Sequence, residues 1–584
     1  MPANFVFRTL HASLLAVGVA VPLLISPAWH AQAAAVPSEQ RIPAPPREYV
    51  DTRYTAPTGR IVQVPSGSDL QAALDKAQPG DTLVLQAGAV YTGPFTLRAK
   101  DSGNGWITLV SSDLNKGLPP PGMRVTPADA VHMPKLQASY ESVVRTAPGA
   151  GHYRLIGLEV RPGPPRSSSV NKALDWVRGS SAKDGSAPHS AFLENLMVFG
   201  SSQDTSLATL PDHIIIDRCY LHGDPVIGAR RGIAMNVKTG AVVDSYISDI
   251  KKMGEDAQAI SGWNGPGPYK IVNNYLEAAG ENVMFGGQDP SIKDLVPSDI
   301  EVRGNHLTKQ LAWKSGDPSY QGAAWQVKNL FELKNAQRVL VEGNLLEYNW
   351  AQAQNGYSIL FTVRDQDGGA PWSVVQDVTF KDNVVRHIAN GINVLGQDDD
   401  HASQQARRIL IANNLFEDVG GTWGNGNLLQ MDNGSADVTF THNTALQTGT
   451  LVYGDGKPDS GFTYTDNIAF QNQYGMIGTD HAPGISSINA FFPGAALKRN
   501  AIVGASSSLY PSGNFFPHNV AAVGFTALDG HDYRLSRSSA YKAEADDGGD
   551  IGVDVDELCK ALDQYSQHLS TAVQSCGSTA VAMH

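Results

Sequence analysis

The run RVLVEGNLLE, residues 338–347, decides the fold because it recurs: a short aliphatic strand, a turn carrying Asn and an apolar-rich pair return along most of the chain. The closing half of the pattern reads NNYLE at Asn273, GNHLT at Gly304, GNLLE at Gly343, DNVVR at Asp382, NNLFE at Asn413, HNTAL at His442, DNIAF at Asp466 and RNAIV at Arg499. Cys219 in DRCYLH and Ser245 in DSYIS hold the same slot. The shared Asn positions 274, 305, 344, 383, 414, 443, 467 and 500 are separated by 31, 39, 39, 31, 29, 24 and 33 residues. These are solenoid periods with insertions of variable length, and each repeat supplies short strands such as YKIV, DIEV, RILI and DVTF instead of a long helix. An Asn stacked on its counterparts can bond to neighbouring backbone and to the next Asn, and it tolerates the left-handed conformation of a sharp corner. The series therefore reads as a structural ladder. Ten or so coils spaced about 4.8 Å apart make a rod of roughly 50 Å.

Working outward, residues 61–97 contain IVQV, then DLQAALDKA, in which Leu70, Ala73, Leu74 and Ala77 form one apolar face and Ser68 with Gln71 fits a capping box. A short helix here is expected to cover the open first coil. The stretch starting GHDYRLSRSSAYKAEADDGGDIGVDVDEL at Gly530 breaks the repeat and reads as an end cap, with Tyr533 and Leu535 on the last coil and a short helix near 555–566. Before the repeat, Arg8 and His11 precede an apolar stretch from Leu14 to Ile25, and Ala31, Ala33 and Ala35 follow, which is the pattern of a signal peptide over residues 1–35. Residues 36–60 read as a Pro-rich, extended leader on or beside the first folded element. No later stretch approaches the roughly 20 apolar residues of a membrane span. The expected organisation is a solenoid over 61–525 and a C-terminal cap and tail over 526–584, in a monomeric chain secreted to the cell exterior or the periplasm.

With 44 basic against 57 acidic residues and a net charge of −13, the chain lacks the dense cationic surface of a nucleic-acid binder. The same charge repels a polyanion, so an acidic polysaccharide needs local cationic groups or a bound cation. Three cysteines exclude a disulfide-built scaffold. Cys559 and Cys576 are close enough in sequence to pair, and Cys219, inside a strand-like run, is expected to be buried and inert.

The opening SGSDLQAALDKAQPGDTLVLQAG, the Asn-bearing coils and the closing DYRLSRSSAYKAEADDGGDIGVD resemble secreted bacterial right-handed parallel β-helix repeat proteins of the pectate/pectin-lyase-like superfamily. The resemblance covers nearly all of the chain after residue 35. It implies an all-β chain, a single right-handed parallel β-helix, with a substrate groove along one sheet. It also implies chemistry on an extracellular polysaccharide, by β-elimination on uronates or by glycoside hydrolysis. Calcium-dependent lyases of this fold hold Ca²⁺ with acidic residues and move protons with Lys or Arg. Fold does not establish function.

β-Elimination needs a base for the proton α to the uronate carboxylate and positive charge for the enolate-like intermediate. Lys328, Glu332 and Lys334 share one strand face by period-two counting, with Arg364 in the next coil, so Lys328 and Arg364 are the expected catalytic pair. Arg230, Arg231, Asn236, Trp263, Asn282 and Lys334 are expected to touch substrate, and Asp256, Glu281 and Glu332 to bind Ca²⁺ through oxygen. Trp325, Trp350 and Trp372 lie in the same stretch and are either sugar platforms or packing under loops. A hydrolase instead needs two carboxylates, for which Asp398–Asp400 with His401, or Asp365 with Asp367, are the candidates. A third reading is a non-catalytic polysaccharide-binding solenoid with an aromatic groove.

Overall fold

The computed structural model describes residues 41–100, 103, 105–164, 193–566 and 569–577; the expected signal peptide lies outside the described residues. These residues wind into three long parallel sheets: sheet I with 14 strands, sheet II with 13 and sheet III with 12. Each coil supplies one strand to each sheet. In one coil these are Ala336–Glu342 in sheet I, Leu345–Asn349 in sheet II and Tyr357–Thr362 in sheet III. The chain is a right-handed parallel β-helix, as the resemblance implied, with more coils than the Asn count alone suggests.

The corner between sheets I and II carries the Asn ladder. The Asn344 Oδ1 accepts from the backbone N–H of Asn305 at 2.9 Å and from its Nδ2 at 3.0 Å, while Asn344 Nδ2 donates to Asn383 Oδ1 and to the Val302 carbonyl, both at 2.9 Å. The same exchange continues to Asn500, which bonds Asn514. At the other end Ser245 and then Cys219 replace Asn, each joined to the next coil by a backbone N–H. One expectation is corrected here. The left-handed residue is the one before the ladder Asn: Asn273, Gly304, Gly343, Asp382, Asn413, His442, Asp466 and Arg499 all have φ between 53° and 64°. The ladder Asn itself is not among the positive-φ residues, and its buried amide points inward along the stack.

Leu70–Lys76 forms the N-terminal helix and buries Leu70 and Leu74 against the first coil. Asp69 is its cap, accepting from the Ala72 N–H at 2.9 Å; Ser68 is not, because Gln71 turns its amide to Thr96 and Asp75 instead of back to the helix start. The leader extends much further than the first folded element. Ala44 and Arg47 donate backbone N–H groups to Asp377 and Asp299, and the carbonyls of Thr52 and Arg53 accept from Arg154, all on the outer face of sheet I. It is a strap across many coils. The C-terminal segment likewise folds back along the rod. Val553, Val555, Leu558 and Leu562 cover Leu345, Val384 and Leu415, which are outward residues of sheet II, while Leu535 packs on Ile468, Ala501 and Val503 of the last coils. Its helix, Val555–Tyr565, is tied to a final turn by the Cys559–Cys576 disulfide. Cys219 is buried, and burial pushes its thiol up to about 12.

Candidate functional site

With straps lying on sheets I and II, sheet III carries a continuous polar row and an open cleft. Its register stacks Arg231, Gln258, Glu281 and Asn329 in one row at the strand starts. The row is a chain of polar contacts: Arg231 Nε donates to Gln258 Oε1 at 2.6 Å, and Gln258 Nε2 donates to Glu281 Oε2 at 2.9 Å. Lys328, just before the strand Asn329–Leu333, closes it with Nζ 2.8 Å from Glu281 Oε1 and 2.7 Å from Asp256 Oδ2. Gln326 Nε2 holds the second oxygen of Asp256 at 2.7 Å.

This arrangement corrects the expected base. Burial works against the charge on Lys328, but the carboxylates of Glu281, Glu332 and Asp256 outweigh it and hold the ammonium above the usual lysine range. Its Nζ is taken up by Asp256 and Glu281 inside the wall, and Lys328 forms no part of the open cleft's lining. The expected Ca²⁺ ligands are corrected for the same reason. Asp256 and Glu281 already share an internal cation, and Glu332 Oε2 accepts from Asn329 Nδ2 at 3.0 Å, so this donor set does not fit a calcium ion.

Five expected substrate contacts are also built into the wall. Asn236 Oδ1 accepts from the backbone N–H groups of Trp263 and Asn264 at 2.9 and 2.8 Å, fixing the turn after its strand. Trp263 is 9% exposed and lies under the Arg231 guanidinium, 5.5 Å from the ring centre. Asn282 is fully buried, its Nδ2 donating to the carbonyls of Leu276 and Thr308. Burial pulls Arg231 down to about 10. Arg230 is held by Glu194 at 3.1 Å and by the Asp256 carbonyl at 3.2 Å. Sequence reasoning missed the residue beneath them, Lys309, whose buried Nζ meets the carbonyls of Ala278, Ala279, Gly280 and Asn329 at 2.8–3.0 Å and Asn282 Oδ1 at 3.2 Å. Burial pulls this amine down to about 7.

The open chemistry begins on the coil of Lys328 and runs over the next three, in a cleft of 440 Å³ lined by Glu332, Lys334, Tyr357, Arg364, Asn393 and Asp432 among others. Lys334 and Arg364 occupy the same corner of consecutive coils, joined by the Arg364 N–H donating to the Lys334 carbonyl at 2.9 Å. Lys334 Nζ is 3.7 Å from Glu332 Oε1, a loose contact compared with the cage around Lys328. Arg364 is steered by Asp398, Asp399 and Asp400, which all meet its Nη1 at 2.5–3.1 Å. Its Nε and Nη2 donate to no protein atom among the described residues.

The acidic loops proposed as a hydrolase pair are therefore scaffolding. Besides clamping Arg364, Asp398 accepts from the Asp365 N–H at 2.7 Å, and Asp365 accepts from the Ala370 N–H at 2.7 Å. His401 bonds the Asp365 carbonyl. Tyr357, Asn393 and Asp432 gave no signal in the sequence, because their chemistry arises only when four coils are in register. Burial pushes Asp432 up to about 6, and Asp455 lies beside it on the next coil. Its Oδ2 accepts from Gln430 Nε2 at 2.7 Å, while its Oδ1 and the Asn393 Oδ1 are buried without a partner among the described residues. Tyr357 donates to Gln430 Oε1 at 2.7 Å, and burial holds its phenol above the usual range, so it carries its proton.

No protein-family model and no curated protein matches this chain. Solved structures do. The catalytic unit of a GH87 α-1,3-glucanase from Streptomyces thermodiastaticus is 13% identical, with a TM-score of 0.47 over 81% of this chain and 72% of that one. A mannuronic acid specific family 6 polysaccharide lyase from human gut microbiota is 11% identical, with a TM-score of 0.46 over 78% of this chain and 91% of that one. An alginate lyase from Paenibacillus sp. is 11% identical, with a TM-score of 0.33 over 73% and 97%. At these identities the likeness is one of fold and assigns no activity.

Proposed function

We propose that this chain is a secreted, carbohydrate-active protein that holds an extracellular polysaccharide along sheet III and cleaves a uronate-containing glycan by β-elimination. The observation that carries the reading is the Lys334–Arg364 pair on consecutive coils of one open cleft. In this reading the free edge of Arg364, Nε with Nη2, takes the uronate carboxylate as a fork and neutralises it, which acidifies the α proton. Lys334, entering the step as the free amine, accepts that proton, the bond from the β carbon to the glycosidic oxygen breaks, and Tyr357 returns a proton to the departing oxygen. The products are a new chain end and an unsaturated uronate. Lys328 keeps a different role: its charge balances Asp256 and Glu281 in the wall beside the cleft.

The test is to incubate the purified protein with a panel of polyuronates, with and without added Ca²⁺, and follow the ultraviolet absorbance of unsaturated uronate. A rise that Lys334→Ala abolishes supports elimination at this site, whereas a rise that survives the substitution overturns the assignment. A second reading, glycoside hydrolysis, is favoured by Asp432, a carboxyl raised toward neutrality beside the in-register Asp455. New reducing ends on a neutral glycan, without the absorbance, select it.

A further inference from the structure

We propose that a second sugar site, taking one ring of an acidic saccharide, lies in an aromatic pocket of 200 Å³ on the far side of the cleft's loop. The long step between Asn305 and Asn344 accommodates an insertion, residues 309–328, that serves no strand pairing. Its Trp313 and Trp325 pack with Trp350 into a small core of their own. Both indoles stand over the buried Lys251 ammonium, 5.5 and 5.3 Å from their ring centres, and Lys251 is itself fixed by Asp249 at 2.7 Å. This inner wall is rigid and apolar.

The rim differs in character. Trp423 is only partly buried, and its indole N–H donates to Asp418 Oδ2 at 2.7 Å, which sets the orientation of the ring. Lys314 Nζ lies 5.4 Å from the Trp423 ring centre and forms no salt bridge among the described residues, its nearest charge influence being Asp317. An unpaired cation beside an indole face, in a chain of net charge −13, is the combination that selects a ring bearing a carboxylate: the ring stacks and the charge pairs.

The position explains why such a site would exist. Ala351 and Gln352 line this pocket, while Ala353, Gln354 and Asn355, the next residues of the same loop, line the cleft. One polymer crossing that loop reaches both. The inference rests on the acidic-glycan part of the proposed function but not on cleavage.

The test is a titration of the full protein with oligogalacturonate and oligomannuronate, followed by tryptophan fluorescence, with a neutral cello-oligosaccharide as control. Trp423→Ala and Lys314→Met are each expected to weaken acidic-sugar binding by about tenfold, the scale of one lost stacking or charge contact. Lys314→Met should also erase the preference over the neutral sugar. Unchanged affinity in both rim variants overturns the inference, as does a wild-type protein that ignores both acidic oligosaccharides. Binding that follows the rim residues without any cleavage removes the lyase reading and leaves this site standing.

Discussion

At the scale of single residues, the two lysines of one strand region have opposite jobs, and substitution should separate them. Lys328 neutralises the fully buried Glu281 and the partly buried Asp256. Lys328→Met leaves both carboxylates without their cation, which is expected to destabilise the protein by about 3–5 kcal/mol in denaturant unfolding. Lys334→Ala removes only a 3.7 Å contact, so the melting temperature should stay near wild type, while the elimination proposed above should be lost. A variant pair in which Lys334 proved the more destabilising would contradict the geometry. Asp459 gives a pH prediction of definite sign. It is 1% exposed, its Oδ1 accepts from the Ser435 N–H and hydroxyl at 2.6 and 2.7 Å, and burial pushes its carboxyl up to about 7. Between the unfolded value near 4 and the folded value, the unfolded chain releases a proton that the native state keeps, so stability falls as pH rises through this window and levels off above it. Asp459→Asn should match wild type near pH ~4 and gain up to about 4 kcal/mol above pH ~7, measured as diverging melting temperatures.

At the scale of elements, the Asn ladder carries the largest local consequence. Asn344→Ala removes an acceptor used by two Asn305 donors and a donor used by Val302 and Asn383, all buried. Leaving such groups without partners is expected to destabilise by about 2–4 kcal/mol in urea unfolding. Asn514→Ala, at the last rung, should lose less, since only Asn500 lies on one side of it. An equal loss at both positions would mean that the ladder does not act as a stack. The ladder was legible in the sequence because a fixed chemical need recurs at a countable period. The leader strap and the folded-back C-terminal segment were not, since an extended, Pro-rich or Asp/Gly-rich chain has no periodicity to announce which surface it covers. The site was legible only in part. Residue types singled out Arg364 and Lys334, which line the cleft, but period-two counting placed Lys328 on the same face, whereas it lies before the strand, where the corner turns it into the Asp256–Glu281 cage. Asp432 and Tyr357 stay invisible to such counting because they meet only across coils about 40 to 100 residues apart.

At the scale of the whole molecule, a parallel β-helix has three lateral walls, and this chain uses its two terminal segments to cover two of them. The leader seals sheet I, where Val50 is buried against Ile215, Ala241, Val243 and Val272, and Asp299 and Asp377 receive its backbone N–H groups. The C-terminal segment seals the apolar outer residues of sheet II. A variant that begins at Thr55 should therefore expose an apolar strip on sheet I and leave Asp299 and Asp377 with one partner fewer each, lowering stability by a few kcal/mol, of which burial of Val50 supplies about 2 kcal/mol. Arg338 and Arg408 still hold those two carboxylates, at 2.7 and 2.6 Å, so the coils should remain formed. Because the cleft lies on sheet III and takes none of its lining from the leader, catalysis per folded molecule should not change at low temperature. The measurement is a melting curve beside a cleavage or binding assay on the same sample. A lower melting temperature with retained activity supports independent walls; lost activity in a still-folded truncation would show that the strap on sheet I is coupled to the site on sheet III, through the coils they share.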